Sequence, residues 1–358
     1  MSFKNYLING ISFIPKLLRD EERKPVIKIL AEFITLTLIQ KRLPTHYFSR
    51  HLYKKDVVNI KNYIPNKILF TIHLKMNDQA SAKVLENKLF FRLFYGQFFA
   101  NLAKILMYNN KDVFIINSDS FRIKSIPEFE STLFDLVNKK SITKSIFIKK
   151  TYDSHGGANT FRISSEDFPL ERSFVTDLFS VVKDSAYLFQ QTVIQHAELN
   201  RLNPSCINTI RIDTFIDRDS KIEVISPYLR MSISNLHVDN TSSGGCFVGV
   251  DPDGRLKKYG YTSITKAGGK ILTAHPISGV IFQGFQIPYY AEAIQLIMQV
   301  AGIVPDLRLI GWDIAITETG PLLIEGNNGY DITNHDLTYG GYRANPVFRK
   351  ALKELNLI

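Results

Sequence analysis

The segment from residue 311 to residue 327 constrains the fold of this chain more than any other part of it. Two runs of alternating apolar residues flank residues 318–320, and a three-residue loop that ends in glycine is a common β-hairpin connection. We therefore predict a hairpin centred on Thr319. This register pairs Thr317 with Pro321, Ala315 with Leu323, and Asp313 with Glu325.

The predicted hairpin places two carboxylates opposite each other. Directly opposed side chains lie roughly 4.5–5.5 Å apart, and like charges at that distance are destabilising unless a cation lies between them. Asn327 shares the face of Glu325 because it lies two residues further along the strand. Oxygen ligands of this type suit a hard divalent ion, Mg²⁺ before Ca²⁺. The pattern predicts a magnesium site at Asp313, Glu325 and Asn327, although a solvated acidic pair, or one paired with Lys or Arg, gives the same sequence.

Length and composition indicate a soluble globular protein of two or three packed units. The chain has 358 residues, of which 45% are hydrophobic and 22% are charged. Cys206 and Cys246 have neither metal-ligand nor redox-motif spacing, which favours a reducing cytoplasm. The most apolar helical stretch, residues 26–39, is too short for a membrane span and carries Lys28 and Glu32.

The net charge of +10 favours acidic partners. The basic residues are scattered, and no run of Lys and Arg with interleaved aromatic residues indicates a nucleic-acid surface. We therefore expect an acidic small molecule as the partner and no nucleic acid. The basic, apolar N-terminal region is compatible with peripheral membrane contact.

The order of the predicted elements favours an α+β fold. Residues 1 to about 75 are predicted to be helical, and two amphipathic helices that separate near Gly96 are predicted between Asp78 and Tyr108. From Ser145 onwards strands are grouped together with occasional helices, which favours α+β subdomains over a doubly wound sheet.

Two segments have the chemistry of a nucleotide site. Lys149 ends a predicted strand and precedes the glycine-containing loop 151–159; backbone N–H groups of such a loop can approach phosphate oxygens while the lysine adds a positive charge. A simple hairpin turn has the same sequence pattern. The strand exit at residues 190–196 carries amide side chains that can hydrogen-bond adenine and ribose, although a polar strand end entering a loop fits equally well.

Two arginines are predicted on neighbouring strands. Arg211 lies in the strand that begins at Asn208, and Arg230 lies in the next one. Arginines held in this way can stabilise charge on a phosphoryl group during transfer. The alternative is that they only neutralise Asp213 and Glu223.

Taken together, these segments resemble the ATP-grasp superfamily, and most closely the sugar-transfer-associated ATP-grasp proteins of bacterial polysaccharide gene clusters. The resemblance runs from about residue 75 to residue 345. It is carried by Phe147-Ile-Lys149 with its glycine loop, Gln190-Gln191, Val193-Ile-Gln-His196, Leu202-Asn-Pro204, Asn208-Thr-Ile-Arg211, Val238-Asp-Asn240, Gly244-Gly245, His275-Pro276, Gly311-Trp-Asp-Ile-Ala-Ile316 and Leu323-Ile-Glu-Gly-Asn327.

The resemblance implies an ATP-grasp fold, in which two α+β subdomains hold ATP between them, preceded by a helical region. The regions it implies are an N-terminal helical region (1–75), a linking region (76–144), a small subdomain with the glycine loop (145–196), a large subdomain with the metal site (197–342) and a C-terminal helix (343–358).

The resemblance also implies roles for individual residues. Lys149 would contact the α- and β-phosphates, Gly156 and Gly157 would close over them, and the 190–193 segment would hold ribose and adenine. The implied nucleotide-binding positions are Lys149, His155, Gly156, Gly157, Gln190, Gln191, Val193 and Asn208. Asp313, Glu325 and Asn327 would carry Mg²⁺. Gly311 stands where many ATP-grasp ligases have an arginine, so Arg211 and Arg230 would be the catalytic residues.

ATP-grasp enzymes usually phosphorylate a carboxylate and let an amine or thiol attack the acyl phosphate. The resemblance therefore implies an ATP- and Mg²⁺-dependent carboxylate–amine ligase, acting on an acidic sugar or related small molecule in surface polysaccharide biosynthesis. Two alternatives remain open: a kinase that phosphorylates a sugar or glycan hydroxyl at the same site, and a nucleotide-binding subunit without catalytic activity.

Overall fold

The computed structural model describes residues 18–152, 159–233, 244–262 and 269–358. Within these residues helices combine with two antiparallel sheets, so the predicted α+β class is confirmed. The helices are α1 (Val26–Gln40), α2 (His46–Ser49), α3 (Asn66–Met76), α4 (Lys83–Glu86), α5 (Lys88–Tyr95), α6 (Ile126–Asp135), α7 (Arg172–Lys183), α8 (Ala197–Leu202), α9 (Tyr290–Gly302), α10 (Thr333–Tyr339) and α11 (Pro346–Glu354).

The strands follow the same chain order and divide between the two sheets. They are β1 (Ile105–Asn110), β2 (Val113–Ile116), β3 (Asp119–Arg122), β4 (Ser145–Lys150), β5 (Thr160–Ser164), β6 (Tyr187–Gln191), β7 (Ile210–Ile216), β8 (Ile222–Val224), β9 (Tyr228–Met231), β10 (Cys246–Val250), β11 (Leu256–Thr262), β12 (Ile271–Leu272), β13 (Leu309–Thr317) and β14 (Gly320–Asn327).

The first sheet has the strand order β3-β2-β1-β6-β4-β5. Helices α6 and α7 cover one of its faces, where Phe129 and Val182 pack with strand residues such as Ile148. The sheet extends back across the predicted boundary at residue 145, because β1 pairs with β6 and carries β2 and β3 with it. The predicted helix that ends at Tyr108 is wrong, because β1 occupies the end of that segment. Pairing with the distant strand β6 overrides the local helical propensity.

The second sheet has the order β12-β11-β10-β9-β7-β13-β14, and β8 pairs with β7. Helix α9 packs on it through Ala293 and Ile297, which join the same core as Ile212 and Ile314. Strand β13 lies between β7 and β14, and all of its residues except Thr317 are buried. The central position of β13 explains why Asp313 is held inside the protein.

The β13–β14 hairpin forms with a different register from the predicted one. Its loop has two residues, 318–319, and Gly320 follows with a φ of 118°, which glycine adopts without a Cβ clash. The observed pairs are Thr317 with Gly320, Ile316 with Pro321, Ala315 with Leu322, Ile314 with Leu323, and Asp313 with Glu325. A bulge at Ile324 shifts the register by one residue. The predicted pairing of Asp313 with Glu325 is therefore confirmed, although the predicted pairs nearer the turn are wrong.

The N-terminal helices pack on the second sheet and on the C-terminal helices. Asn77, just after α3, bonds both backbone groups of Leu309 on β13 through its side chain, at 2.8 and 2.9 Å. Arg50 forms a fully buried ion pair with Asp336 of α10. These contacts make the described part of the N-terminal helical region an integral layer of the protein. No described helix is both long enough and apolar enough to cross a membrane.

We expect Asp336→Ala to lower the free energy of unfolding by about 3–5 kcal/mol, because Arg50 would stay buried without the counter-charge of Asp336. Glu86→Ala removes a carboxylate from an exposed ion pair with Lys83, and it should change the free energy by less than about 1 kcal/mol. Urea titrations followed by circular dichroism measure both. Equal shifts in the two variants would contradict the stabilising role of the buried pair.

Candidate functional site

Asp313 lies at the centre of a buried charged cluster that forms where β7, β9 and β13 run side by side. The register of β7 and β13 places Arg211 directly opposite Asp313, and Arg211 Nε and Nη2 donate to its two carboxylate oxygens at 2.5 and 3.1 Å. Arg230 Nη2 donates to Asp313 Oδ2 at 2.9 Å, and Arg230 also donates to Thr209 Oγ1. A single carboxylate therefore orients two guanidinium groups.

The charge of Asp313 is maintained by its neighbours. Burial raises the pKa of Asp313, but the charges of Arg211 and Arg230 and hydrogen bonds from Arg211 and Glu325 more than offset it and lower the pKa to about 2. The cluster thus combines an ionised carboxylate with two permanent cations near neutral pH.

Asp213 and Glu223, the alternative partners of the two arginines, pair with other residues. Asp213 is bonded to Tyr342 Oη at 2.9 Å and lies 2.7 Å from His335 Nε2, while Glu223 pairs with Lys221 and Lys350. The ion pairs of Arg211 and Arg230 in the described residues are with Asp313. The two arginines therefore form their ion pairs with Asp313 and not with Asp213 or Glu223, while the charge of Asp213 still acts on Arg211.

The three predicted metal ligands lie together. Asp313 and Glu325 are paired across the hairpin and are close enough for a hydrogen bond between their carboxyl groups. Asn327 Nδ2 lies 3.5 Å from Asp313 Oδ2. Arg211 and Arg230 already supply positive charge to Asp313, as in the alternative of an acidic pair neutralised by arginine, so the contact between the two carboxyl groups does not by itself require a metal. Two carboxylates and an amide oxygen suit Mg²⁺, which keeps several waters, and the described residues contain no cluster of three or more His, Cys, Asp or Glu that could hold a metal by itself.

Lys149 faces the metal-ligand cluster from the first sheet. Its neighbours on β4, Ile146 and Ile148, point into the core of that sheet, so Lys149 projects from the opposite face. The side chain is half-buried, and burial lowers its pKa to about 8; the charge of Glu325 opposes this effect, and the charge of Lys88 adds to it. Lys149 on the first sheet therefore lies within electrostatic range of Glu325 on the second sheet, and we term the space that these side chains border the cleft.

Lys88 belongs to the same cluster and was missed in the sequence. It begins helix α5, where its backbone N–H donates to Thr151 O at 2.7 Å, immediately after β4. Asn87 caps the helix by accepting from Leu89 N and Phe90 N. The sequence carried no specific signal for it, because a cation at the first helical position opposes the helix dipole only weakly and Arg172 begins α7 in the same way.

The two glutamines at the end of β6 point in opposite directions. Gln190 pairs with Phe147, two residues before Lys149, and so it shares the face of Lys149. Gln191 lies on the other face, where its Oε1 accepts from Ile142 N at 3.3 Å. The structure thus brings the side chain of Gln190, and not that of Gln191, to the cleft.

Asn208 does not face the cleft, which corrects the prediction that it binds the nucleotide. Its side chain is fully buried and donates to the backbone carbonyls of Leu199 and Asn203 at 3.0 and 2.9 Å. Its backbone N–H donates to Gln195 Oε1 at 2.6 Å. With both amide hydrogens donated to backbone carbonyls, Asn208 holds the 195–208 connection together.

Gly311 is closely surrounded, so a side chain here would push its neighbours by a few tenths of an ångström. A Cβ at this position would lie 3.0 Å from both Asp213 Oδ1 and the ring of Tyr330. As a glycine this position supplies no cation, and the cations of the site come from neighbouring strands. Val193 is half-buried just after β6. The predicted residues His155, Gly156 and Gly157 lie outside the described residues.

Comparison with known proteins gives one family match. The family described as "Sugar-transfer associated ATP-grasp" matches residues 71–345 of this chain. No curated protein is detectably similar in sequence.

Several solved structures are similar in fold. They include D-alanyl-alanine synthetase A from Vibrio cholerae (11% identity; 79% of this chain and 68% of that chain; TM-score 0.44). The ATP-grasp ligase PsnB, complexed with minimal precursor, Mg and ADP, has 13% identity over 73% of this chain and 55% of that chain, with a TM-score of 0.37. N5-carboxyaminoimidazole synthase from Aspergillus clavatus, in complex with ADP and 5-aminoimidazole ribonucleotide, has 9% identity over 76% and 53%, with a TM-score of 0.39. The chain spans about half the length of the last two proteins.

We expect the affinity for a non-hydrolysable ATP analogue to be constant below about pH 8 and to fall as the pH rises further. The reason is that Lys149, with a pKa of about 8, carries its charge below that pH and loses it above. Lys149→Arg should remove this dependence because arginine stays charged. Isothermal titration calorimetry from about pH 7 to pH 9.5 measures both proteins. Parallel pH profiles would show that Lys149 does not contact the phosphates.

Gln190→Ala and Asn208→Ala should change different properties: the first should weaken nucleotide binding, and the second should lower stability. The first change removes a side chain from the cleft, so we expect roughly 3–10-fold weaker analogue binding and an unchanged melting temperature. The second removes two buried hydrogen bonds to the carbonyls of Leu199 and Asn203, although each carbonyl keeps one other donor, so it should lower the free energy of unfolding by about 1–3 kcal/mol. Calorimetry measures analogue binding and thermal melts measure stability for both variants. If Asn208→Ala keeps the wild-type stability but binds the analogue more weakly, Asn208 binds the nucleotide after all.

Proposed function

Because the chain belongs to the sugar-transfer associated ATP-grasp family, we propose that it is an ATP- and Mg²⁺-dependent ligase that joins a carboxylate to an amine through an acyl phosphate. One observation carries the proposal. The charge of Glu325 on the second sheet acts on Lys149 of the first sheet, and Glu325 is paired with Asp313, which orients Arg211 and Arg230.

The charges of the cleft favour a polyanionic substrate. Lys88 and Lys149 lie on one side, and the two arginines lie on the other, against the carboxylates of Asp313 and Glu325. The excess of positive charge complements the phosphates of ATP, and the low exposure of these side chains strengthens each interaction. Gln190, on the face of Lys149, would hydrogen-bond the nucleoside end.

Asp313, Glu325 and Asn327 would hold Mg²⁺. When bound with ATP, the ion neutralises charge on the phosphate oxygens. The remaining work is done by the side chains of the chain itself. Asp313 fixes Arg211 and Arg230 through three hydrogen bonds, so their guanidinium groups need little reorganisation to stabilise charge on the phosphoryl group.

The proposed reaction has two steps. An oxygen of the acceptor carboxylate attacks the γ-phosphorus, the bond from that phosphorus to the β-phosphate oxygen breaks, and ADP leaves. The amine nitrogen then attacks the acyl carbon, phosphate leaves with the bonding electron pair, and the nitrogen loses a proton. Lys149 and Lys88 would hold the phosphates of the departing ADP, while the arginines would hold the transferred group.

We propose an acidic sugar, such as a uronic acid, or a related small acid as the acceptor, in surface polysaccharide biosynthesis. The net charge of +10 and the basic cleft support an acidic substrate, and the sugar-transfer association of the family supports a sugar. A carboxylate on such a sugar supplies the oxygen that the first step requires.

The test measures ADP release against a panel of uronic acids, each with and without a panel of amines. We expect ADP and phosphate in equal amounts only when an acid and an amine are both present. Arg230→Ala should lower kcat about 100-fold because a positioned cation of the phosphoryl site is lost. Arg201→Ala removes an arginine of an exposed pair with Glu198 and should leave kcat unchanged.

Other outcomes separate the alternatives. A stable phosphorylated product without any requirement for an amine would select the kinase. Confirmed ATP binding without ADP release for any acceptor, in wild type and Arg230→Ala alike, would overturn the ligase proposal.

A further inference from the structure

Helix α1 presents an apolar face to solvent. Residues spaced three and four apart along a helix share one face, and here that spacing is filled by large aliphatic side chains, of which Ile27 is 83% exposed and Leu38 is 73% exposed. The exposed aliphatic residues of this surface, which we term the α1 face, are Ile27, Leu30, Ile34 and Leu38; Ile39 and Leu43 are exposed beside it at the end of the helix.

The opposite side of α1 already has its packing partners. Ile29 and Leu36 are buried with Tyr47 and Leu52, and Phe33 packs against the same group. The helix is thus apolar on both sides, although the residues that the structure describes cover only one side. Helices that are apolar all round are normally buried, and contiguous exposed apolar surface of this kind indicates an interaction site.

The charges around the α1 face are positive. Lys28 is exposed on the helix, and Lys41 and Arg42 are exposed just after it. Glu32 is the one acidic residue between positions 26 and 43, and it faces inward, bonded to Lys24 Nζ at 2.8 Å and to Tyr47 Oη at 2.7 Å. An apolar face with a positively charged border matches an anionic lipid surface.

The sequence that precedes α1 has the same chemistry. Residues 1–17 contain Phe, Tyr, Leu and Ile in quantity, and their charged side chains are Lys4 and Lys16, with no Asp or Glu. Residues 20–22 are acidic, but they lie next to the covered side of α1, because the backbone of residues 22–24 is bonded to that of residues 53–55. Positive charge and apolar side chains therefore recur on the N-terminal side of these acidic residues.

We propose that α1 lies in the plane of an anionic membrane, with the α1 face inserted among the lipid headgroups and Lys28, Lys41 and Arg42 against their charges. Helix α1 has 15 residues, which is too few to span a bilayer and enough to lie on one. A second copy of the chain is the competing occupant. It is disfavoured because each copy carries a net charge of +10, whereas the same charge attracts anionic lipid.

The test is flotation of the full-length protein with vesicles. Phosphatidylcholine vesicles are compared with vesicles of phosphatidylcholine and phosphatidylglycerol in equal parts, at low and high salt. We expect the wild type to bind the anionic vesicles at least about tenfold more strongly than the neutral ones, and less strongly as salt rises. The triple variant Leu30→Gln, Ile34→Gln, Leu38→Gln should bind the anionic vesicles at least about tenfold more weakly than wild type.

A matched control changes three exposed isoleucines elsewhere: Ile142→Gln, Ile277→Gln, Ile281→Gln. This control should bind vesicles as wild type does, and both triple variants should keep the wild-type melting temperature because the altered side chains are exposed. Vesicle binding that is absent in wild type, or equal in the two triple variants, would overturn the proposal. Sedimentation velocity supplies the other decisive result: a wild-type dimer that the α1 variant abolishes, without vesicle binding, would assign the face to a second copy.

Discussion

The ion pairs of Asp313 with Arg211 and Arg230 are the interaction on which the site depends. A carboxylate this deeply buried is tolerated because two cations lie against it, and two arginines this close are tolerated because the carboxylate lies between them. All three residues project from strands of one sheet, so their positions are set by backbone pairing and not by a loop. Rigid placement of this kind is what a site for a transferring phosphoryl group needs, since its cations must be in position before the charge moves.

The remaining parts of the cleft reach this cluster from two other regions. Lys149 comes from the first sheet, and Lys88 comes from a short helix that precedes both sheets and is tied to the end of β4 by its backbone. The N-terminal helices are joined to the same framework, because Asn77 bonds the backbone of β13 at its first residue. The proposed nucleotide cleft and the exposed face of α1 are therefore parts of one packed structure, although each proposal rests on different residues.

Much of the fold and part of the candidate site followed from the sequence. Periodicity located the strands around residues 146–150 and 187–191, and the resemblance to sugar-transfer-associated ATP-grasp proteins, read over about residues 75–345, is confirmed by the family match over residues 71–345. The predicted pairing of Asp313 with Glu325 is confirmed because two errors in the predicted hairpin register cancel. The turn is one residue shorter than predicted, and a bulge at Ile324 restores the register. The apolar alternation of the sequence does not reveal a bulge, because a bulge depends on how the strand pairs with its partner.

The sequence by itself determined which residues carry chemistry and which segments are extended or helical, since side-chain type and periodicity are properties of the chain alone. Only the tertiary structure decided which of them meet. It paired the arginines with Asp313 and not with Asp213 or Glu223, and it placed Gln190 and Gln191 on opposite faces of the sheet. It also buried the Asn208 side chain against the carbonyls of Leu199 and Asn203. It also brought Lys88 beside Lys149 and paired β1 with β6. Each of these outcomes rests on contacts between residues distant in sequence, where strand pairing sets the face of a side chain and burial sets its pKa.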